Sequence, residues 1–472
     1  MPPERQIYLL DPQSLPPETI AVTFAKTSRS AQSFREIAAE LTDEKSAEFH
    51  EKWVVGYGHS SVAEHAVLHV AVENISRLAV ESLESNRLAS YTEKSTRYQT
   101  WKVDDFYIPG ELEGSELKEL YQQTCHALFS AYQESLGPVR QVIAQIDPPR
   151  PDESESKWDR RVRSQYIDVC RFYLPAAALA NVGMTINARA LEHCISKMLS
   201  HPLDEVRAMG EEIKRVSQAE VPTLVKYANK IANLEQAQTY LAALKCVDEN
   251  APEDWCKLVH YERDSDDQIL AAALYRTHNI DYTQAMAAVG GMSPAERQAI
   301  ADLLLGSLSK HDIPLRELEH SSYTFDLILD QGAYFELKRH RMMTQTAQPL
   351  TTRLGYAMPS KLVKAGLEDH FKAAMQTAAD AYERLAEVNP DMAAYVVPNA
   401  CNRRVLLTMN LRSAYHLVNL RAADNAHFSI RRAACRIADE IQQATPLFGR
   451  FLIPPSGETC AQIDADYFTA VK

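Results

Sequence analysis

The sequence is poor in glycine, in long apolar runs, in paired cysteines and in positive charge. Only 15 of its 472 residues are glycine, and long stretches are rich in helix formers, so a largely helical protein is predicted. No run of about 18 consecutive apolar residues occurs, so no transmembrane helix is predicted. The eight cysteines contain no Cys-x-x-Cys pair and the N-terminal segment lacks a signal-peptide pattern, so we expect a cytoplasmic protein with reduced thiols.

Charge and hydrophobic content narrow the class of protein further. The formal net charge is −13 and 46% of the residues are hydrophobic, a composition that excludes disordered, collagen-like and disulfide-stapled chains. The negative charge argues against a general nucleic-acid binder, although a local group of arginines could still hold a small anion. We therefore expect small-molecule substrates, and no nucleic-acid, membrane or metal partner.

Two segments have the partial alternation of half-buried strands, and they introduce an internal repeat. Residues 67–75 follow the pair Glu64-His65, and residues 323–331 follow Glu319-His320. Each strand leads to a helix-like run and then to an arginine-containing motif. Further along, residues 174–193 align with residues 397–416. The order of these landmarks indicates a tandem duplication.

The duplication sets the predicted domains. The first domain covers residues 1–245 and carries an insertion within about residues 101–165, and the second covers residues 253–472. Inside the insertion, the polar residues 147–161 are predicted to form an exposed loop.

Three groups of polar residues could carry chemistry. In an extended segment, Glu93, Ser95 and Arg97 would project to one side, where a carboxylate, a hydroxyl and a guanidinium could cradle a nucleotide. A solvated charged loop is the alternative. The basic run 338–341 ends an apolar helix-like segment, where cations are favoured in any case. On the helix 410–421, Arg412 and His416 share a face, and an ordinary core histidine is the alternative there.

Together, in order and spacing, these motifs resemble the flavin-dependent thymidylate synthases. The first copy has GHSSVAEH (58–65), SNRLASYTEKSTRY (85–98), CRFYLP (170–175) and NARALEH (187–193). The second copy has LEH (318–320), RHRMMTQTAQPLTT (339–352) and NLRSAYHLVNLR (410–421). The resemblance implies an α+β fold, present as two tandem copies, in which long helices surround a small antiparallel sheet.

The two copies depart from the family motif in complementary ways. The first copy keeps Glu93, Ser95 and Arg97 but has Ser85 and Asn86 where the motif begins Arg-His. The second copy keeps Arg339, His340 and Arg341 but has lost the later part of the motif. Members of the family are homotetramers with active sites between subunits. The resemblance therefore implies one composite active site built from both copies, and a homodimer that forms a pseudo-tetramer.

The resemblance also implies roles for individual residues. The catalytic residues would be Arg421, His59 and Ser95. The residues that bind dUMP would be Glu93, Ser95, Arg97, Arg171, Glu336, Arg339 and Arg421. The residues that bind FAD would be Ser61, Glu93, Arg339, His340, Arg341, Asn410, Arg412 and His416.

The implied reaction is the reductive methylation of dUMP to dTMP, with methylenetetrahydrofolate as carbon donor, FAD as hydride carrier and NADPH as reductant. The protein would supply positioning and electrostatics, while the flavin supplies the redox chemistry. Two alternatives stay open. One is an FAD- and nucleotide-binding relative with a different one-carbon product, and the other is a catalytically inactive scaffold.

Overall fold

The computed structural model describes residues 5–97, 99–244, 254–309 and 312–469. Tyr98 and the predicted boundary between the copies, residues 245–253, lie outside this part of the chain. The chain folds into two compact units, each assembled from several chain segments. Unit 1 takes residues 1–94, 107–115 and 178–248, and unit 2 takes residues 95–106, 116–177 and 249–472.

The described residues contain seven strands and twenty α-helices. The strands are β1 (Val67–Ser76), β2 (Ala89–Glu93), β3 (Leu179–Asn187), β4 (Cys256–Tyr261), β5 (Tyr323–Asp330), β6 (Thr344–Ala347) and β7 (Asn402–Met409). The first ten helices are α1 (Pro17–Lys26), α2 (Phe34–Ala39), α3 (Asp43–Phe49), α4 (Arg77–Leu83), α5 (Leu117–Ile146), α6 (Glu155–Cys170), α7 (Ala188–Leu199), α8 (Asp204–Ser217), α9 (Ala232–Ala243) and α10 (Ser265–Thr277). The remaining helices are α11 (Tyr282–Gly290), α12 (Pro294–Ala301), α13 (Gln331–Leu337), α14 (Ser360–Lys364), α15 (Glu368–Ala386), α16 (Pro390–Ala393), α17 (Leu411–Arg421), α18 (Phe428–Ala444), α19 (Pro446–Gly449) and α20 (Cys460–Tyr467).

Each unit contains one small antiparallel sheet with the same central arrangement. In unit 1 the strand order is β1-β3-β2, and in unit 2 it is β4-β5-β7-β6. Strands β1 and β3 pair from Val67 opposite Asn187, and β5 and β7 pair from Tyr323 opposite Met409. Buried and less buried residues alternate along β5 and β7, as expected when one sheet face meets the core. The α+β prediction and the strands predicted at 67–75 and 323–331 are confirmed.

The same capping contacts recur in the two sequence copies. Ser76 and Asp330 end β1 and β5, and their side chains accept backbone N–H bonds that begin α4 and α13. Asn187 and Asn410 end β3 and β7, and each caps the following helix with a bond of 2.9 Å. Capping satisfies amides that the first helical turn leaves unpaired. The strand-to-helix junctions of the two copies therefore form for the same local reason.

Two local predictions need correction. The exposed loop predicted at 147–161 extends only to Ser154, because the Ser154 hydroxyl accepts the N–H of Lys157 and begins α6. The extended conformation predicted from Glu93 to Arg97 ends with β2 at Glu93. Beyond it the Arg97 N–H turns back to the Ser95 Oγ, at 3.1 Å, so the strand alternation does not reach Arg97. Among the described helices, none is both long and apolar enough to cross a membrane.

Candidate functional site

A largely buried chain of ion pairs lies in unit 2. Arg171 follows the end of α6, Glu336 lies on α13, and Arg421 is the last residue of α17. The Glu336 carboxylate accepts from Arg171 Nη2 at 3.3 Å and from Arg421 Nη1 at 3.0 Å. The exposed side-chain fractions are 4% for Arg171, 9% for Glu336 and 14% for Arg421. One carboxylate therefore holds two guanidiniums that have lost most of their hydration.

His340 completes the fixation of Arg421. The Arg421 Nε donates to His340 Nε2 at 3.0 Å, so Nε2 must be the unprotonated ring nitrogen. Burial, assisted by the positive charge of Arg421 and by His416, lowers the pKa of His340 to about 3. Burial also lowers the pKa of Arg421, against the opposing effect of Glu336. The neutral imidazole thus acts as a hydrogen-bond acceptor for a cation.

Arg97 lies in the turn that follows β2 and belongs to unit 2. It makes a bidentate pair with Asp168, with Nε to Oδ1 at 2.8 Å and Nη2 to Oδ2 at 2.7 Å. Its Nη1 donates to the carbonyl of Asn425 at 2.8 Å. Two parallel bonds fix both the position and the plane of the guanidinium. Arg97 is therefore oriented on both sides, by α6 and by the loop that precedes α18.

His427 contacts the backbone of the residue that pairs with Arg97. Its Nε2 donates to the backbone carbonyl of Asp168 at 3.1 Å, and its Nδ1 accepts the N–H of Ser429 at 3.2 Å. The ring is fully buried, and burial lowers its pKa well below the usual value, with the nearby cations Arg171 and Arg97 acting in the same direction. Both ring nitrogens are used in the neutral form, so His427 has a structural task.

Arg171 keeps one donor without an acceptor. Its Nη1 donates to Thr96 Oγ1 at 3.1 Å, and its carbonyl accepts from Asn399 Nδ2 at 3.0 Å. The Nε, in contrast, is buried and has no hydrogen-bond partner among the described residues. An unpaired buried donor costs about 1–3 kcal/mol. An acceptor that reached this N–H would remove the cost, as an anionic ligand or a water could.

Three guanidiniums and two carboxylates thus lie in one compact unit and come from both sequence copies. Arg97, Asp168 and Arg171 belong to the first copy, and Glu336 and Arg421 belong to the second. Arg339 adds an exposed positive charge that is close enough to disfavour the charged form of Arg421. The cluster has a positive balance in a partly desolvated place, which suits a phosphate-bearing ligand.

The residues predicted to bind FAD divide into two kinds in unit 2. Arg339 and His416 are exposed and Arg341 is half-buried, and the His416 ring lies 5.5 Å from that of His340. Asn410 and Arg412, in contrast, are engaged within the fold. Asn410 caps α17, and Arg412 donates to Glu319 at 2.6 Å and to the Pro314 carbonyl at 3.0 Å.

The Arg412 contact has a counterpart in unit 1. Arg189, which aligns with Arg412, donates to Glu64 at 2.5 Å, and Glu64 aligns with Glu319. Because both copies make this pair, it holds the start of the helix in either copy. The pair is present in the copy that keeps the Arg-His-Arg motif and in the copy that has lost it, so the fold alone explains it.

Three predicted site residues belong to unit 1. His59 precedes the short 3-10 segment Ser60–His65, which includes Ser61, and both side chains are exposed. The His59 ring lies 6.0 Å from that of Trp53. Glu93 forms a buried ion pair with Arg77 at the start of α4.

Sequence reasoning missed Thr96, Asp168, Asn399 and His427. Asp168 offered a signal, because an acid among the apolar residues of YIDVC, on the buried face of α6, requires a cationic partner. The partners themselves could not be read from the sequence, since they lie on segments far apart in the chain.

Known proteins match most of the chain. The model of the family described as "thymidylate synthase complementing protein" matches residues 10–223 and again residues 257–447. A UPF0159 protein of Chlamydia muridarum is 32% identical over 433 residues, which are 88% of this chain and 82% of that protein. A UPF0159 protein of Thermoplasma acidophilum is 27% identical over 444 residues, covering 86% of this chain and 88% of its own.

Shorter relatives match about half of the chain. A flavin-dependent thymidylate synthase of Geobacter sulfurreducens is 28% identical over 216 residues, which are 45% of this chain and 82% of that protein. Among solved structures, the UMP/dUMP methylase PolB of Streptomyces cacaoi, bound with 5-Br dUMP, is 18% identical with a TM-score of 0.34. It covers 42% of this chain and 93% of its own.

Proposed function

Because the chain belongs to the thymidylate synthase complementing protein family, we propose that it is a flavin-dependent thymidylate synthase, a methyltransferase that converts dUMP to dTMP with methylenetetrahydrofolate and NADPH. The observation that carries the proposal is the cluster of Arg171, which is buried, with Arg97 and Arg421, which are partly buried, in unit 2. Its members come from both sequence copies, and each guanidinium is held by a carboxylate. One composite site per chain is the arrangement that this cluster supports.

The nucleotide would be held by positive charge that the fold has already oriented. Arg97 and Arg171 would bind the phosphate, with Ser95 as an additional hydroxyl donor. The unpartnered Nε of Arg171 supports this role, because a phosphate oxygen is the acceptor that it lacks. Preorganised donors of this kind lose little freedom when the ligand binds.

Arg421 would stabilise negative charge that develops on the pyrimidine ring. Glu336 and His340 hold its guanidinium from two sides, so it would not need to reorganise during the reaction. A fixed cation in a partly desolvated place is most effective where charge develops in the transition state. Bound FAD would supply the redox chemistry.

The donor set in unit 2 fits FAD in part. Arg339, Arg341 and His416 offer exposed or half-exposed cationic and imidazole groups suited to a pyrophosphate. Asn410 and Arg412 would act by shaping the start of α17, since their side chains already cap and anchor it. His59, Ser61 and Glu93 stay proposed contributors from unit 1.

The decisive assay is dTMP formation, measured by chromatography, by the purified full chain given dUMP, FAD, methylenetetrahydrofolate and NADPH under low oxygen. We expect Arg97→Ala and Arg341→Ala each to lower the rate by about 100-fold or more, as the loss of a positioned charge does. Arg140→Ala is the matched control, because Arg140 makes a solvent-exposed pair with Asp159 and should leave the rate unchanged.

Each contrary result points to a different alternative. Flavin retention without dTMP would favour another one-carbon product, and loss of both would favour the inactive scaffold. Wild-type rates in both arginine variants would exclude the composite site.

We also propose that the protein is a homodimer. Light scattering should then give twice the chain mass of 53.1 kDa, and the mass of a monomer would contradict the proposal.

A further inference from the structure

Unit 2 contains a cavity of about 650 Å³ that is separate from the arginine cluster. Helices α10 and α11 and the short 3-10 segment Arg316–Glu319 form its walls. The cavity is lined by apolar and aromatic residues, among them Ala272 and Tyr282, and by charged residues of both signs. Its volume is in the range of small-molecule sites.

The helices that form the walls of this cavity correspond to helices of unit 1. Matching contacts in the two units fix the alignment of α1 with α10. In unit 1, Glu18 on α1 accepts the backbone N–H groups of Thr223 and Leu224. In unit 2, Asp266 on α10 accepts those of Leu447 and Phe448. Helices α2 and α11 both begin with a capping box, from Ser33 and from Asp281. The same offset of residue numbers, 248, relates Glu18 to Asp266 and Ser33 to Asp281.

At one pair of aligned positions, the side chain in unit 2 is much smaller than the side chain in unit 1. The offset places Ala272 opposite Phe24 and Tyr282 opposite Phe34, while His320 aligns with His65 through the Glu-His pairs. In unit 1 the Phe24 ring lies 5.4 Å from Phe34 and 5.0 Å from His65, measured between ring centroids.

In unit 2 the ring of Phe24 has no equivalent, because Ala272 has only a methyl group. Tyr282 and His320, the partners that would contact such a ring, both line the cavity. The space that an aromatic side chain fills in one copy is therefore available to a ligand in the other. A ring entering it would meet aromatic surfaces of the kind that flat ligands stack on.

The polar lining limits the charge of such a ligand. Arg276 and Arg316 contribute two positive charges, while Asp281, Glu317 and Glu319 contribute three negative ones. Arg316 is also paired with Glu319 at 3.2 Å. The balance does not favour a phosphate or another strong anion.

One carboxylate of the lining has an oxygen to which no described residue donates. Glu317 Oε1 accepts a hydrogen bond from Arg276 Nη1 at 3.3 Å, but its Oε2 is buried and has no partner within the described part of the chain. The Glu317 side chain is 14% exposed. A buried carboxylate oxygen without a donor is costly, so a ligand N–H at this point would contribute to binding.

From these observations we propose that the cavity is a second ligand site, which binds an uncharged heteroaromatic ring carrying an exocyclic amino group. The ring occupies the place of the Phe24 side chain, between Tyr282 and His320, and an N–H of the ligand donates to Glu317 Oε2. This site does not depend on the proposed synthase activity, and its test does not use that activity.

The test is calorimetric titration of the full chain with guanosine, inosine and guanosine 5′-monophosphate. Guanosine should bind. Inosine, which lacks the 2-amino group, should bind at least about tenfold more weakly, because it loses a hydrogen bond to a charged acceptor. The monophosphate should also bind more weakly, because the lining carries negative charge. No heat of guanosine binding up to about 1 mM would overturn the proposal, as would equal affinity for guanosine and inosine.

Two variants locate the binding. Ala272→Phe restores the side chain that unit 1 accommodates, and it should abolish guanosine binding by filling the space. Glu317→Leu should lower the affinity about tenfold while the fold is retained, because it removes an unsatisfied buried oxygen and a contact to the largely exposed Arg276. Glu387→Leu, at an exposed position, is the control and should bind as the wild type does. Wild-type affinity in both cavity variants would overturn the proposal.

Discussion

The replacement His340→Gln tests whether a neutral imidazole holds Arg421. In the folded chain, His340 Nε2 accepts a hydrogen bond from Arg421 at 3.0 Å, and the ring is 6% exposed. A proton at Nε2 would break this bond and place two positive charges side by side. Glutamine is uncharged at every pH and carries an amide oxygen that can accept from Arg421, so the variant keeps an acceptor and removes the titration.

The direction of the pH effect follows from the lowered pKa. In the unfolded chain His340 takes up a proton near pH 6.5, whereas in the folded chain its pKa is about 3. Between these values the unfolded state binds more protons, so the free energy of unfolding falls as the pH falls. The loss begins near pH 6.5 and ends near pH 3. Integrated from pH 7.5 to pH 5.0, it amounts to about 2 kcal/mol.

Urea unfolding at both pH values, followed by tryptophan fluorescence, measures this effect. Other buried histidines, such as His427, titrate in the wild type and in the variant alike, so the comparison between the two chains cancels their contributions. We expect the wild type to lose about 2 kcal/mol more than His340→Gln between pH 7.5 and pH 5.0. If the two chains lose the same amount, the imidazole is not held neutral by its burial beside Arg421, and this account of the site is refuted.

Two further predictions concern helix ends and a glycine, and urea unfolding at pH 7.5 checks both. Asn410→Ala and Asn187→Ala should each cost about 1 kcal/mol, since each removes the side chain that caps a helix; an unchanged stability in either variant would contradict the shared junction. Gly449→Ala should destabilise by about 1–3 kcal/mol, because the new Cβ would lie 2.8 Å from the backbone of Ile441 and Gln442.

The sequence predicted the strands that carry their own alternation and missed those that depend on neighbours. Strands β1 and β5 were predictable because polar and apolar residues partly alternate along them. Strand β3 contains Asn181 and Gly183, residues that are depleted in strands, and its position is fixed by pairing with β1 and β2. Strand propensity depends on such cross-strand contacts, and a single segment does not contain them.

The charged residues of the site were predictable, but their arrangement was not. Arginines at 97, 171 and 421 stand in motifs that resemble a known family, so their roles could be proposed from the sequence. That Glu336 bridges Arg171 and Arg421 depends on the packing of α6, α13 and α17, which no local pattern encodes. His340 was expected to contact FAD, and its burial beside Arg421 could not be foreseen, because burial is decided by tertiary contacts.

In unit 1, uncharged side chains occupy the positions that align with three charged or imidazole side chains of unit 2. There, Ser85 and Asn86 stand at the positions of Arg339 and His340, and Met198 stands at that of Arg421. Lys197 donates to Ser85 and, at 3.0 Å, to Asn86, whose amide donates in turn to the Cys194 Sγ. These side chains satisfy one another and need no ligand.

If neither unit bound a ligand, we would expect mutually hydrogen-bonded side chains of this kind in both units, since isolated buried charges cost free energy. Unit 2 instead keeps guanidiniums that are largely removed from water, and no described residue offers an acceptor to the Nε of Arg171. Stability alone does not account for this arrangement, because well-packed uncharged residues of similar volume are often as stable or more stable. Unit 1 is therefore self-sufficient at this position, whereas unit 2 keeps the charges that the proposed anionic ligand would need.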